Sequence, residues 1–578
     1  MFVISLRAHI SKVYKMTCMQ YRSTDSSILF SRHFFKAFVM DNSKVEIRVH
    51  EGKLIGAIEK GVYDDYYAAF RGIPYAKPPV GELRFKDPVP AEPWSGSRDA
   101  SKYGNIAVQM NFLTRQIEGD EDCLYLNVFT PKIEPGKKRT VMVWIHGGAF
   151  SMGSGDALMY GPDYIVRNDV ILVTLNYRLG ALGFLNLYDK VVTGNQGIKD
   201  VILALQWVQK NISQFGGDPK NVTIFGDSAG GAIVHCLTLS PLAKDLFHKA
   251  ISQSGVMRCP WAYSIQQSHS MNAGFRLAEK LGKATTDPKV AYEFLKTIDA
   301  KKLIEFQEKP VSTEEENRQD VLRFAPTVDH ESLNPVFPGD IAKFMNRGVE
   351  VPLLIGFTSC EGSFIAFSNF IGPVNKERLQ KIDSDFKIAI LPNVLSMLQK
   401  ISVTVEDLRS LYFGDKAISE ETMANYVDFL SDEFFCRSIM EVVDIQTKLN
   451  HNKPTYLYKF SYESDNSPMK KIFNFTYPGA THGEELAYLF HVSMMKELGI
   501  SLPAIDSKDG KMINHLTQMW TDFAKTGNPT PNTNSWLPVT GSQGKYNYLN
   551  IDENSQMNVF RKGEESWNWE EKKNKLRH

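Results

Sequence analysis

Apolar positions along this chain recur with two different periods. Residues 45–49 and 54–59 read as short strands joined at Glu51-Gly52. Three later runs, 124–129, 141–145 and 170–175, are rich in Val, Ile and Leu and do not alternate. That pattern predicts strands buried on both faces of a sheet. At 197–215 the period changes: Ile198, Val201, Ile202, Leu205, Val208, Ile212 and Phe215 form one stripe at helical spacing, and Gly216-Gly217 stops it. A strand at 222–225, the segment Gly226-Asp-Ser-Ala-Gly230 and a second helical stretch follow. The order strand, helix, strand, helix predicts parallel strands with crossover helices. Further strands are predicted at Lys249–Gln253, 352–356 and Thr455–Phe460. Pro-rich loops, 72–79 and 88–93, precede this core, and the charged stretches 265–320 and 375–450 read as helical insertions over it. The fold class is therefore α/β, a mostly parallel central sheet with helices on both faces. With no repeat and no low-complexity linker, 44–565 reads as one domain, between a basic N-terminal extension (1–43) and a charged C-terminal tail (566–578).

Composition narrows the picture. Lys+Arg and Asp+Glu are equal at 66 each, so no overall field draws the chain to nucleic acid. The six cysteines are scattered without a CxxC pair, against a zinc site or a disulfide framework. The first 40 residues carry Arg7, Lys12, Lys15, Arg22, Arg32 and Lys36 against Asp25 alone, and the extension lacks a compact apolar stretch before a cleavage site. It reads as a transit peptide, a basic membrane-surface segment or a disordered arm rather than a secretory signal. Together these features point to an intracellular protein, cytoplasmic or peripherally associated with a mitochondrial or other membrane. Three sequons, at Asn211, Asn221 and Asn474, are weak evidence for the opposite route.

Chemistry concentrates at Ser228. The pentapeptide Gly226–Gly230 matches G-x-S-x-G, with a predicted strand before it and a helix after it. That context lifts a serine hydroxyl out of a tight turn at a helix N-terminus. A serine alcohol needs a base. His482, in the glycine-bounded loop Pro478-Gly-Ala-Thr-His-Gly-Glu-Glu485, follows a strand and can reach back to it, whereas His235 is expected to pack or face solvent. The acid that orients the imidazole has two candidates: Glu361, past the strand at 352–356, and Asp329, in Ala325-Pro-Thr-Val-Asp329. Backbone donors for a tetrahedral oxyanion are expected from Ala229 and from His146-Gly-Gly-Ala149, in which His146 is structural. The constellation implies acyl transfer on a small-molecule ester, with no metal or cofactor.

At this point the chain resembles a family. Phe70-Arg-Gly-Ile-Pro-Tyr-Ala-Lys-Pro-Pro-Val-Gly81, Glu121-Asp-Cys-Leu-Tyr-Leu-Asn127, Asn176-Tyr-Arg-Leu-Gly-Ala-Leu-Gly-Phe184 and Phe225-Gly-Asp-Ser-Ala-Gly-Gly231 are similar to type-B carboxylesterases, the cholinesterase-like esterases and lipases of the α/β-hydrolase fold. Val62-Tyr-Asp-Asp65 and the HGG start look closest to insect α-esterases. The resemblance runs from about residue 45 to Phe523-Ala-Lys-Thr-Gly-Asn-Pro529. It implies a triad of Ser228, Glu361 and His482, oxyanion donors at Gly148, Ala149 and Ala229, supporting positions at Gly147 and Ser254, and a substrate-facing aromatic at Trp261. It implies a serine esterase acting on xenobiotic or lipid-type esters. The rivals are a lipase or hormone esterase on the same machinery, or a weakly active or inactive member used for binding. Three departures stand out. Ala149 replaces the usual third glycine, and the expectation is that the loop holds it at negative φ. Secreted members bridge the counterpart of Cys123 to an earlier cysteine, but only Cys18 lies upstream here. Residues 110–119 contain no Trp, so an acylcholine would lose a cation–π partner worth about 0.5–2 kcal/mol.

Overall fold

The computed structural model describes residues 44–576, apart from 265–271, 308, 310–323, 369–373 and 450–451. The extension 1–43, with its expected targeting or membrane role, lies outside the described residues, as does part of the 265–320 insertion. The twelve strands along the main path are β1 (Lys44–Val49), β2 (Gly52–Lys60), β3 (Tyr66–Pro74), β4 (Tyr125–Thr130), β5 (Arg139–Ile145), β6 (Ile171–Leu175), β7 (Gly217–Asp227), β8 (Lys249–Gln253), β9 (Leu353–Thr358), β10 (Thr455–Phe460), β11 (Lys545–Ile551) and β12 (Gln556–Arg561). They form one sheet in the order β1-β2-β3-β4-β6-β5-β7-β8-β9-β10-β11-β12, and a short strand, Ser97–Asp99, pairs with β2. From β6 to β11 every neighbour is parallel. Antiparallel strands lie on either side of this block.

The apolar runs without alternation have a direct cause. Every residue of β5, β6, β8 and β9 is buried. Successive side chains point to opposite faces, so Val141, Val143 and Ile145 of β5 join one core cluster while Met142 and Trp144 join the other. The predicted helical stripe is α1 (Gln196–Asn211), finished by a 3-10 turn, Ile212–Phe215, and stopped by Gly216 at φ 88°. Helix α2 (Ala229–Leu239) crosses from β7 to β8.

The structure adds to the sequence reading in three places. β3 has no counterpart among the predicted strands, and its last three residues, 72–74, fall within the stretch 72–79 read as loop. The hairpin β11–β12 carries mixed polar residues without a clean period. Part of the expected tail is packed rather than trailing: the last helix, Trp569–Leu576, buries Trp569, whose indole N–H donates to the Tyr412 hydroxyl at 2.8 Å.

Candidate active site

β7 delivers Ser228 at its carboxyl end. Ser228 has φ 57° and ψ −124°, a conformation that a non-glycine residue holds only under constraint. The constraint is visible. Its N–H donates to the Gln253 carbonyl at 2.9 Å, and the Ser228 carbonyl accepts from Ala232 N at 2.9 Å. The flanking glycine leaves room for β5: a Cβ on Gly226 would stand 2.6 Å from the Ile145 carbonyl oxygen.

Glu361 opens helix α3 (Glu361–Phe367), just past β9, and is fully buried. His482 sits in the loop after β10, which a bridge between Cys360 and Thr481 ties to the Glu361 segment. The two meet: His482 Nδ1 donates to Glu361 Oε2 at 2.6 Å. The other oxygen, Oε1, accepts from Ser254 Oγ at 2.5 Å and from Thr358 N at 2.7 Å. Three donors thus hold the carboxylate, and the carboxylate fixes the imidazole tautomer with Nε2 free to act as base. The ring is also clamped between Phe435 and Phe364, with centroids 4.5 and 5.4 Å away. Among the described residues no hydrogen bond joins the Ser228 hydroxyl to His482, an edge that often tightens only with substrate bound.

Asp329, the rival acid, is spent elsewhere. It accepts from Val336 N and Phe337 N at 2.9 Å each and lies 3.8 Å from Lys199 Nζ. His235 is buried, accepts from Met257 N at 3.0 Å, and is pushed by burial and by Arg258 down to about 3. His146 stacks on Tyr177 at 4.4 Å with Nδ1 bound to the Gly147 carbonyl, as expected of a structural residue.

The loop after β5 lies against the serine. A Cβ on Gly147 would come within 3.2 Å of the Ser228 Cβ. The N–H groups of Gly148, Ala149 and Ala229 donate no hydrogen bond among the described residues; Ala229 follows the serine directly, and Gly148 and Ala149 follow the Gly147 that lies against it. Orphan amides at a helix start and in such a loop are suited to an anion. Ala149 corrects one expectation: its φ is +55°, not negative, and Phe150 follows at +58°. Left-handed backbone costs a residue with a Cβ roughly 1–2 kcal/mol. The bond from Gly180 N to the Phe150 carbonyl, at 2.7 Å, helps to hold it there.

Trp261 is nearly buried, its indole N–H donating to the Phe434 carbonyl at 2.8 Å and its ring lying 6.3 Å from Phe150 and 5.9 Å from Phe435. Phe434 and Phe435 belong to a π-helical turn, Asp432–Cys436, between α4 (Met423–Ser431) and α5 (Arg437–Leu449). Such turns often mark functional sites. Here the turn contacts both Trp261 and His482, while Ser431 Oγ, one residue before it, accepts from Gly362 N at 2.8 Å.

Sequence reasoning missed a group of carboxyls beneath the imidazole. Asp227, Glu484 and Glu485 are all buried. Tyr458 OH and Gln253 Nε2 donate to Glu485 Oε1 at 2.9 and 3.3 Å, Trp520 holds Gln253 at 3.1 Å, and Ser467 Oγ donates to Glu484 Oε2 at 2.8 Å. Burial raises the Asp227 and Glu485 carboxyls, and neighbouring carboxylates add to the effect. Burial opposes charge on His482, but Glu361, Asp227 and Glu485 outweigh it and lift the imidazole to about 9. The signal was present in the motifs, since Asp227 precedes the serine and Glu485 follows His482 by three residues, but spacing alone does not show that they converge.

The comparisons agree with this chemistry. The model of the carboxylesterase family matches residues 42–569. Esterase E4 of Myzus persicae is 34% identical over 511 residues, covering 86% of this chain and 89% of that protein. Juvenile hormone esterase of Tribolium castaneum is 35% identical over 504 residues, covering 84% of each. The crystal structure of juvenile hormone esterase from Manduca sexta, with OTFP covalently attached, superposes with a TM-score of 0.80 at 30% identity over 92% of this chain and 99% of that one. The central sheet is that of an α/β-hydrolase, the chemistry is hydrolysis of carboxylic esters, and the chain belongs to the carboxylesterase family.

Proposed function

We propose that Ser228, His482 and Glu361 are the catalytic triad of a serine carboxylesterase. The observation that carries this is the pair of fixed geometries: a constrained serine at the end of β7, and an imidazole bound to a buried carboxylate at 2.6 Å. His482 Nε2 takes the hydroxyl proton as Ser228 Oγ attacks the ester carbonyl. The oxyanion is held by the amides of Gly148, Ala149 and Ala229. The proton passes from His482 to the leaving alcohol, giving an acyl-serine. Water then attacks that acyl group by the same route, releasing the acid and restoring the hydroxyl. Glu361 stays ionised and steadies the imidazolium. Gly147 and Ser254 keep the loop and the carboxylate in place.

The walls suit an apolar ester. Trp261, Phe150 and Phe435 form an aromatic cluster reaching His482; we take lipid-type or xenobiotic esters as the substrates, and the juvenile hormone esterases among the relatives favour the alternative of a hormone esterase. Turnover of a graded series of acyl esters tests the assignment. Ser228→Ala and His482→Ala are each expected to lower kcat by several orders of magnitude, Glu361→Gln to lower it substantially, and Asp329→Asn to leave it near the parent value. A larger loss from Asp329→Asn than from Glu361→Gln would refute the acid assignment.

A further inference from the structure

The three sequons differ in one atom's surroundings. An N-linked glycan is joined to the Nδ2 of asparagine. In Asn211 that atom donates to Glu51 Oε2 at 3.1 Å, Oδ1 accepts from His50 N at 2.9 Å, and the residue is fully buried. In Asn221, Nδ2 donates to Thr140 Oγ1 at 2.9 Å, Oδ1 is held by Lys249 Nζ, and the sequon's Thr223 is buried. A sugar on Asn211 breaks these bonds and has no space, and one on the half-buried Asn221 disturbs its bonds to Thr140 and Lys249.

Asn474 is built the other way. It caps the helix Pro468–Phe473 in left-handed backbone, φ 56°, and its side chain is exposed. From 473 to 477 exposure alternates. Asn474 and Thr476, the two residues an acceptor site needs, face solvent. Phe473, Phe475 and Tyr477 turn inward, where Phe473 packs on Phe364 at 4.9 Å and Phe475 and Tyr477 pack on Phe367 at 5.8 and 5.1 Å. Phe364 in turn touches His482. The segment therefore shows its sequon to solvent and its rings to the aromatic layer beside the active-site histidine.

We infer that Asn474 is an N-linked glycosylation site, open whenever this chain passes through the secretory route, and that Asn211 and Asn221 are closed in the folded protein. Glycan transfer precedes folding, so the structure acts as a filter: chains modified at Asn211 cannot close around that buried amide and chains modified at Asn221 lose the bonds that seat it, while chains modified at Asn474 fold unhindered. The glycan would stand on the outer side of the aromatic layer without entering the site.

The test is to place a cleavable secretory leader before the full chain, express it in mammalian cells and purify the secreted, folded protein. Peptide:N-glycosidase F in 18O-labelled water converts each glycan-bearing Asn to a labelled Asp, which peptide mass spectrometry locates. The expected result is label at Asn474 and none at Asn211 or Asn221. Asn474→Gln should then abolish the glycan and leave ester turnover unchanged. An unmodified Asn474 in secreted protein, or label at Asn211 or Asn221, overturns the inference. Because turnover is read separately, this outcome is independent of the triad assignment.

Discussion

Ala149 holds a backbone conformation that its own side chain resists. The left-handed φ costs roughly 1–2 kcal/mol, and glycine would avoid that cost while adding about 0.4–1 kcal/mol of unfolded-state freedom. Ala149→Gly is therefore expected to leave Tm unchanged or slightly raised. It should change kcat by less than about tenfold, because the amide itself is retained. A clear fall in Tm would show that the methyl contributes packing that outweighs the strain. Asp227 offers a second residue-level test. A base must be neutral to accept a proton, and His482 is lifted to about 9 against its burial by surrounding carboxylates, so kcat/KM should rise with pH through the neutral range. Asp227→Asn removes one source of that lift. The charged imidazole is then less favoured, its pKa falls, and the acidic limb of the profile should move to lower pH. A limb that stays in place or moves upward contradicts the electrostatic role given to Asp227.

At the scale of elements, legibility followed periodicity. The parallel strands and α1 were readable because full burial on two faces and a helical stripe leave strong, distinct patterns. The turn at Ser228 and the loop at His482 were readable because glycines bound both. Position alone left the acid open, because Glu361 and Asp329 each follow an extended segment; in the fold Glu361 meets His482 at 2.6 Å, while Asp329 is bound to Val336 N and Phe337 N. The π-helical turn left no trace in the sequence, since its extra residue sits inside an ordinary amphipathic run. It carries two buried carboxyls, and burial pushes Glu433 up to about 8 against a single donor, the Leu391 N–H at 2.8 Å. The sign is clear. The unfolded state releases this proton at ordinary glutamate pH, while the folded state keeps it until about 8, so stability is lost as pH rises between those limits. Glu433→Gln should remove that loss. Its Tm advantage over the parent is expected to be largest above pH 8 and to vanish toward pH 4. An advantage that does not depend on pH would contradict the assignment.

For the whole molecule, the sheet serves as the frame on which distant segments meet. Ser228 and Glu361 follow the ends of β7 and β9 directly, His482 lies in the long loop after β10, and the parallel registers through β8 bring these segments to one edge of the sheet. The C-terminal helix belongs to this body as well. Trp569 is buried against Tyr412, and Tyr412 OH donates to Asp432 at 2.6 Å in the π-turn. Trp569→Ala should destabilise the protein by about 3–5 kcal/mol, read as a fall in the denaturation midpoint; a change within error would mean that the helix docks only loosely. The central claim, that this body exists to activate one serine, is tested most directly by reaction with a fluorophosphonate followed by peptide mapping. The account predicts one stoichiometric adduct on Ser228, no adduct in Ser228→Ala, and labelling slowed by orders of magnitude in His482→Ala. An adduct on another serine, or labelling of the Ser228→Ala protein at the parent rate, would contradict it.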